Sequence, residues 1–267
     1  MFNSKTVKLG KLAPKKRDDI KLFGDMKAVA ALPTPPPQIF WKEGVKTWPM
    51  MKNDTVGDCT CAGAGHMIQC WTAWANGPAK VLTDAQVLAA YTTITASENG
   101  GKGYDPNQTD PTTGDNPTDT GCALADVVSY WKATGFSGHK ILDAVSVAPN
   151  NLAHLKWATV LFGGVYAGVQ LPLSAQGQTT WSVPKTGTTG DGAPGSWGGH
   201  CIPIISFDAT YFYVVSWGEI VPVSYNFMEV YFDEGYALIS PDWLNKGITP
   251  LGTSLSWLES ELPNVAN

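Results

Sequence analysis

The sequence predicts an α+β fold, with a helical first half and an antiparallel, β-rich second half that leave a cleft between them. Three observations carry this. Ala- and Gly-rich stretches with helix caps gather before about residue 145. Short β-branched and aromatic runs typical of strands gather after it. A Gly/Ser/Thr-rich loop from Pro172 to Gly199 leads into the longest of those runs.

Residues 1–38 read as an arm. They contain K-L-A-P-K-K-R-D-D and then A-L-P-T-P-P-P-Q, with little apolar periodicity, and the proline run favours stiff polyproline II. Residues 39–267 read as the folded domain, about 39–145 helical and 146–267 β-rich. Cys59 opens the helical stretch C-T-C-A-G-A-G-H-M-I-Q-C-W-T-A-W-A. Thr83 and Gln86 form a capping box that launches a second helix. A polar stretch from Glu98 to Gly121 has no apolar period, which marks a functional loop or lid. A third helix across A-D-V-V-S-Y-W-K-A-T-G stops at Gly135. V-L-F-G-G-V-Y-A-G-V-Q-L, C-I-P-I-I-S-F-D, Y-F-Y-V-V-S-W-G and G-Y-A-L-I-S read as strands.

Charge is unevenly spread. Residues 1–48 carry a balance of +6 and the remainder −11. A basic arm on an acidic body is expected to dock on that body or on another subunit, outside the cleft at Cys59. The acidic body argues against nucleic acid as the main partner. No apolar run approaches the roughly 18 residues that span a bilayer, and the N-terminus lacks the apolar stretch of a secretory signal. The expectation is a cytoplasmic chain, or one carried in a virus particle, with all five cysteines as free thiols.

Cys59 is the candidate nucleophile. A thiol at a helix start faces unpaired backbone N–H groups and the positive end of the helix dipole, which favour the thiolate. The neighbouring Asp58 works the other way. His200, at the leading edge of an apolar strand, is the candidate base. His66 lies too far along the Cys59 helix for proton transfer, about 10 Å, and His139 and His154 read as solvated or core histidines.

I-F-W-K-E-G-V-K-T-W-P-M-M-K-N-D-T-V-G-D-C, L-T-D-A-Q-V-L, G-C-A-L-A-D-V-V-S-Y-W-K-A-T-G, G-G-H-C-I-P-I-I-S-F-D, V-V-S-W-G and E-G-Y-A-L-I occur in this order. Together they resemble the papain-like cysteine peptidase family, as a divergent member of bacterial or phage type, over roughly residues 39–240. His200 follows Cys59 by 141 positions, within the spacing of about 130–150 found in papain. The resemblance implies a thiol-dependent hydrolase, a cysteine peptidase or amidase, with the Cys59–His200 dyad working through a thioacyl intermediate. It implies an oxyanion-hole amide at Asn53, a shielding indole at Trp217, supporting roles for Asp58 and Ser216, and a substrate cleft along Gly121, Cys122, Ala123, Trp197, Gly198 and Gly199. The expected partner is a peptide or protein substrate, with no cofactor and no metal.

The sequence departs from that pattern in three places. Val215 stands where the family has the Asn that orients the histidine, leaving Glu219 or Asn226 as substitutes. Thr60 replaces an aromatic, and Val56 replaces the disulfide partner of Cys122. Cys59-x-Cys61 with His66 matches no usual zinc spacing, and D-P-N-Q-T-D lacks the central Gly of a calcium loop. The rival reading is a catalytically weakened protein of the same fold, a structural or peptide-binding component of an assembly such as a phage particle.

Overall fold

A computed structural model describes residues 7–75 and 77–260. The first six residues of the expected arm and the last seven of the expected β-rich half lie outside the described residues. In chain order the elements are β1 (Ile39–Phe40), α1 (Cys59–Ala75), α2 (Asp84–Glu98), α3 (Leu124–Ala133), β2 (Asp143–Ser146), α4 (Leu152–Phe162), β3 (Val165–Leu171), β4 (Gly198–Phe207), β5 (Tyr211–Ser216), β6 (Glu219–Ser224), α5 (Tyr225–Tyr231), β7 (Phe232–Ile239) and α6 (Leu255–Ser260).

The strands form one sheet in the order β2-β7-β3-β4-β5-β6, every pair antiparallel, with β1 added beside the far end of β4. The fold is therefore α+β, as expected. The strand period of two splits the sheet into two buried faces. Val165, Ala167 and Val169 of β3, with Ile202 and Ile204 of β4, face a core shared with α4 and α5. Tyr166 and Cys201 face the opposite way, into a core shared with α1, α2 and α3.

α1 runs through this second core with nearly every side chain buried. Its small residues let it lie against β4, since a Cβ at Gly63 would stand 2.8 Å from the Cys201 sulfur. The capping box at Thr83 and Gln86 is present on α2. The indoles of Trp41, Trp71 and Trp243 donate to the carbonyls of Thr159, Phe162 and Leu161. They thereby satisfy the end of α4, where the last carbonyls lack helical partners.

One strand expectation is corrected. Val160–Phe162 close α4 instead of opening a strand. Gly163, at φ +68°, ends the helix, and β3 begins at Val165. An unbroken apolar run buried on all sides carries no period that separates helix from strand.

Candidate active site

Cys59 is the first residue of α1 and is 2% exposed. His200 is the third residue of β4 and is 1% exposed. The Cys201 N–H, next in chain to His200, bears on the Cys59 sulfur, so the strand brings the histidine's neighbour to the helix start. His200 stacks on Trp217 with ring centroids 4.2 Å apart. Its Nε2 lies 2.9 Å from Ser216 Oγ. The other ring nitrogen, Nδ1, is buried and without a hydrogen-bond partner.

Trp217 and Gly218 form the two-residue turn between β5 and β6, both at positive φ (46° and 74°). A hairpin of this length requires that conformation, and a bulky residue adopts it only against local strain. Ser216 takes the place expected of Glu219 or Asn226. Glu219 is exposed, and exposed Asn226 accepts from Ser224 instead. Val215 faces the α1 core, away from His200.

The expectation that the arm packs outside the cleft is overturned: the arm lies in the cleft. Lys8 N–H donates to the Asn53 carbonyl at 3.0 Å, and the Lys8 carbonyl accepts from Asn53 Nδ2 (3.3 Å) and Trp217 Nε1 (3.1 Å). The Gly10 carbonyl accepts from Cys122 N–H (2.9 Å), Lys11 N–H donates to Gly199 (3.2 Å), and Leu12 N–H donates to Cys122 (3.0 Å). Gly10 N–H bears on the Cys59 sulfur. Among the expected cleft residues, Gly121, Gly198 and Gly199 would each push a Cβ to within 3 Å of the arm, and Trp197 packs on Trp217. Ala123 is buried as the N-cap of α3. Beyond the cleft the arm stays docked. Lys15 pairs with Glu98 and Asp126, Lys21 accepts from Ser146 N–H, and Phe23 is fully buried against Phe162. Net charge favours docking but does not choose the place; backbone hydrogen bonds do.

With the arm in place Cys59 and His200 are both held neutral. Burial pushes the Cys59 thiol up to about 12, outweighing the Cys201 and Gly10 N–H groups that favour the thiolate. Burial alone takes His200 down to about 3. Asp58 is fully buried, and burial, reinforced by Asp119, raises its pKa well above the ordinary carboxylate value against the pull of Asn53.

Sequence reading missed Asp119. Its carboxylate accepts the Gly57 N–H (3.1 and 2.9 Å) and the Tyr91 hydroxyl, and that same hydroxyl accepts the Gly121 N–H at 2.8 Å. It thus ties the turn before Cys59 to the cleft wall. Nothing in the polar stretch distinguishes Asp119 from Asp105, Asp110 or Asp115. The other histidines are structural: His66 Nε2 meets the Pro49 carbonyl, His139 pairs with Asp242, and His154 lies edge-on to Phe23. All five cysteines are free and buried. Among the described residues no group of three or more His, Cys, Asp or Glu is placed to hold a metal ion, and no helix is long and apolar enough to cross a membrane.

In a Cys59→Ala chain, where no thiolate can pair with the ring, the His200 shift gives the closed arm a pH dependence. An opened cleft returns the imidazole towards its ordinary value near 6.5, so the closed state binds fewer protons below that value. Closure is favoured fully above about pH 6.5 and weakens by up to about 1.4 kcal/mol per unit as pH falls from there towards 3. Protection of the residue 7–12 amides from hydrogen exchange, corrected for intrinsic rates, is therefore expected to fall between pH 7.5 and 4.5. Equal protection at both would remove His200 from the linkage.

No protein-family profile and no curated protein matches the chain. Solved structures do. Xylellain, a cysteine protease from Xylella fastidiosa, superposes with a TM-score of 0.65 at 13% identity, covering 90% of this chain and 98% of that one. Digestive procathepsin L2 proteinase from the Tenebrio molitor larval midgut gives 0.56 at 12%, covering 88% and 79%. The Carica candamarcensis cysteine protease CMS1MS2 gives 0.51 at 13%, covering 79% and 99%. The chain has the fold of the papain-like cysteine proteases.

Proposed function

We propose that this protein is a thiol-dependent hydrolase of peptide or amide bonds, held latent by its own N-terminal arm. One observation carries the reading: a stretch of main chain crosses the cysteine, hydrogen-bonded to both walls of the cleft through Asn53, Cys122 and Gly199. A groove that holds a peptide backbone over a thiol at a helix start is arranged for attack on a peptide carbonyl.

In the open enzyme His200 Nδ1 takes the Cys59 proton, since Nε2 is held by Ser216. The thiolate adds to the substrate carbonyl, and the developing oxyanion is met by the Cys59 N–H and Asn53 Nδ2, which donates to the Lys8 carbonyl in the closed state. Collapse expels the amine, which takes the proton from His200, and leaves a thioester. Water, deprotonated by His200, then hydrolyses the thioester and restores the thiol. Ser216 and Trp217 hold the ring in place of the carboxamide that Val215 cannot supply.

A peptidyl acyloxymethyl ketone tests this. Mass spectrometry is expected to find the adduct on Cys59 and on none of the other four thiols, with the labelling lost in His200→Ala. Absence of any Cys59 adduct after the arm is displaced would favour a scaffold role instead.

A further inference from the structure

Resting on that reading, we infer that the pocket filled by the Lys11 side chain is the specificity pocket of the cleft and selects lysine or arginine in the substrate. The Lys11 side chain is 0% exposed, with its ammonium 2.8 Å from Asp233 Oδ2, 3.1 Å from Glu234 Oε1 and 3.2 Å from the Leu12 carbonyl. Two carboxylates and a carbonyl thus surround a group that has three protons to donate. Burying an ammonium is costly unless partners of this kind surround it.

The fold builds the pocket deliberately. On β7, Glu234 pairs with Gly168 of β3 and Phe232 pairs with Val169, so Asp233 is the extra residue of a bulge. In a regular strand, consecutive side chains point to opposite faces. The bulge re-aims them, and both carboxylates reach the same ammonium. Gln170 Nε2 donates to Asp233 Oδ2 at 2.6 Å and orients it. Gly168 makes the space, since a Cβ there would lie 2.0 Å from Lys11 Cε.

The pocket belongs to the reacting cleft. Lys11 follows Gly10, whose N–H bears on the Cys59 sulfur, and its own N–H is held by Gly199, the residue before His200. When the arm leaves, Asp233 and Glu234 lose their counterion at a site shaped for a long cationic side chain. A substrate that supplies one replaces it, while norleucine or glutamate leaves the carboxylates unpaired.

The full-length Gly10→Val/Lys11→Gln chain tests this, with fluorescent peptides of the arm sequence V-K-L-G-K-L-A carrying Lys, Arg, norleucine or Glu at the position of Lys11. Anisotropy is expected to show at least tenfold tighter binding of the Lys and Arg peptides. That preference is expected to collapse when Asp233→Asn and Glu234→Gln are added, with circular dichroism checking the fold. If the carboxamide chain does not fold, the peptide series on the unaltered pocket still decides. Equal binding of the lysine and norleucine peptides, or no binding of any, overturns the pocket. Hydrolysis of arm-sequence peptide amides carrying Arg or Leu at the position of Lys11 is read separately. Preferential binding without turnover removes the hydrolase reading and keeps the pocket; turnover of both amides without preference does the reverse.

Discussion

Gly10→Val is expected to raise the rate at which a small electrophile alkylates Cys59 by about tenfold to a hundredfold. A Cβ on Gly10 would lie 1.6 Å from the Gly57 carbonyl oxygen, a backbone atom held in place by the neighbouring Gly57–Asp119 hydrogen bonds. No side-chain rotation relieves such a contact, so the arm must lift from the cleft at that point. Overpacking of this kind costs about 1–3 kcal/mol, and each 1.4 kcal/mol taken from the closed state multiplies the open fraction tenfold while that state is minor. The same substitution leaves the ion pairs of Lys15 intact, so the arm stays tethered beside α3. Mass-spectrometric counting of the Cys59 adduct against time measures the effect. An unchanged rate would mean that something other than the arm shields the thiol.

Adding His200→Ala to the Gly10→Val chain is expected to lower peptide-amide hydrolysis by about 10²–10⁴, the range for loss of a general acid–base group. His200 is also a buried ring stacked on Trp217, so lost activity alone could reflect lost packing. The pH profile of alkylation separates the two. In the open cleft water relieves the burial that holds Cys59 at about 12 and His200 at about 3. A thiolate–imidazolium pair then keeps Cys59 reactive near pH 6. Without His200 the profile is expected to move towards the ordinary thiol range near 8.5. Identical profiles in the two chains would show that His200 does not activate the thiol.

Much of this arrangement is legible in the chain. The Thr83–Gln86 capping box sits where its spacing puts it, because capping is decided within four residues. The strands at Gly198–Phe207 and Tyr211–Ser216 follow from β-branched and aromatic runs ended by turn residues. Cys59 at a helix start is equally local: V-G-D turns and an Ala-rich run follows. The order of six short motifs then indicates the fold, although each alone carries little information.

The features that can be read along the chain are local or collinear: helix starts, strand runs, the positions of the candidate cysteine and histidine, and a basic arm before an acidic body. Tertiary structure alone decided where that arm lands, because its hydrogen bonds come from Asn53, Cys122 and Gly199, three segments that share no pattern in the chain. Tertiary structure also chose Ser216 over Glu219 and Asn226 as the partner of His200, since a turn at positive φ sets which side chains face the ring. The Lys11 pocket is the clearest case. Asp233 and Glu234 are adjacent in sequence, and the strand period of two would send them to opposite faces. A one-residue register shift between β3 and β7 turns both towards a single ammonium, and the register of a strand exists only once its neighbour is in place.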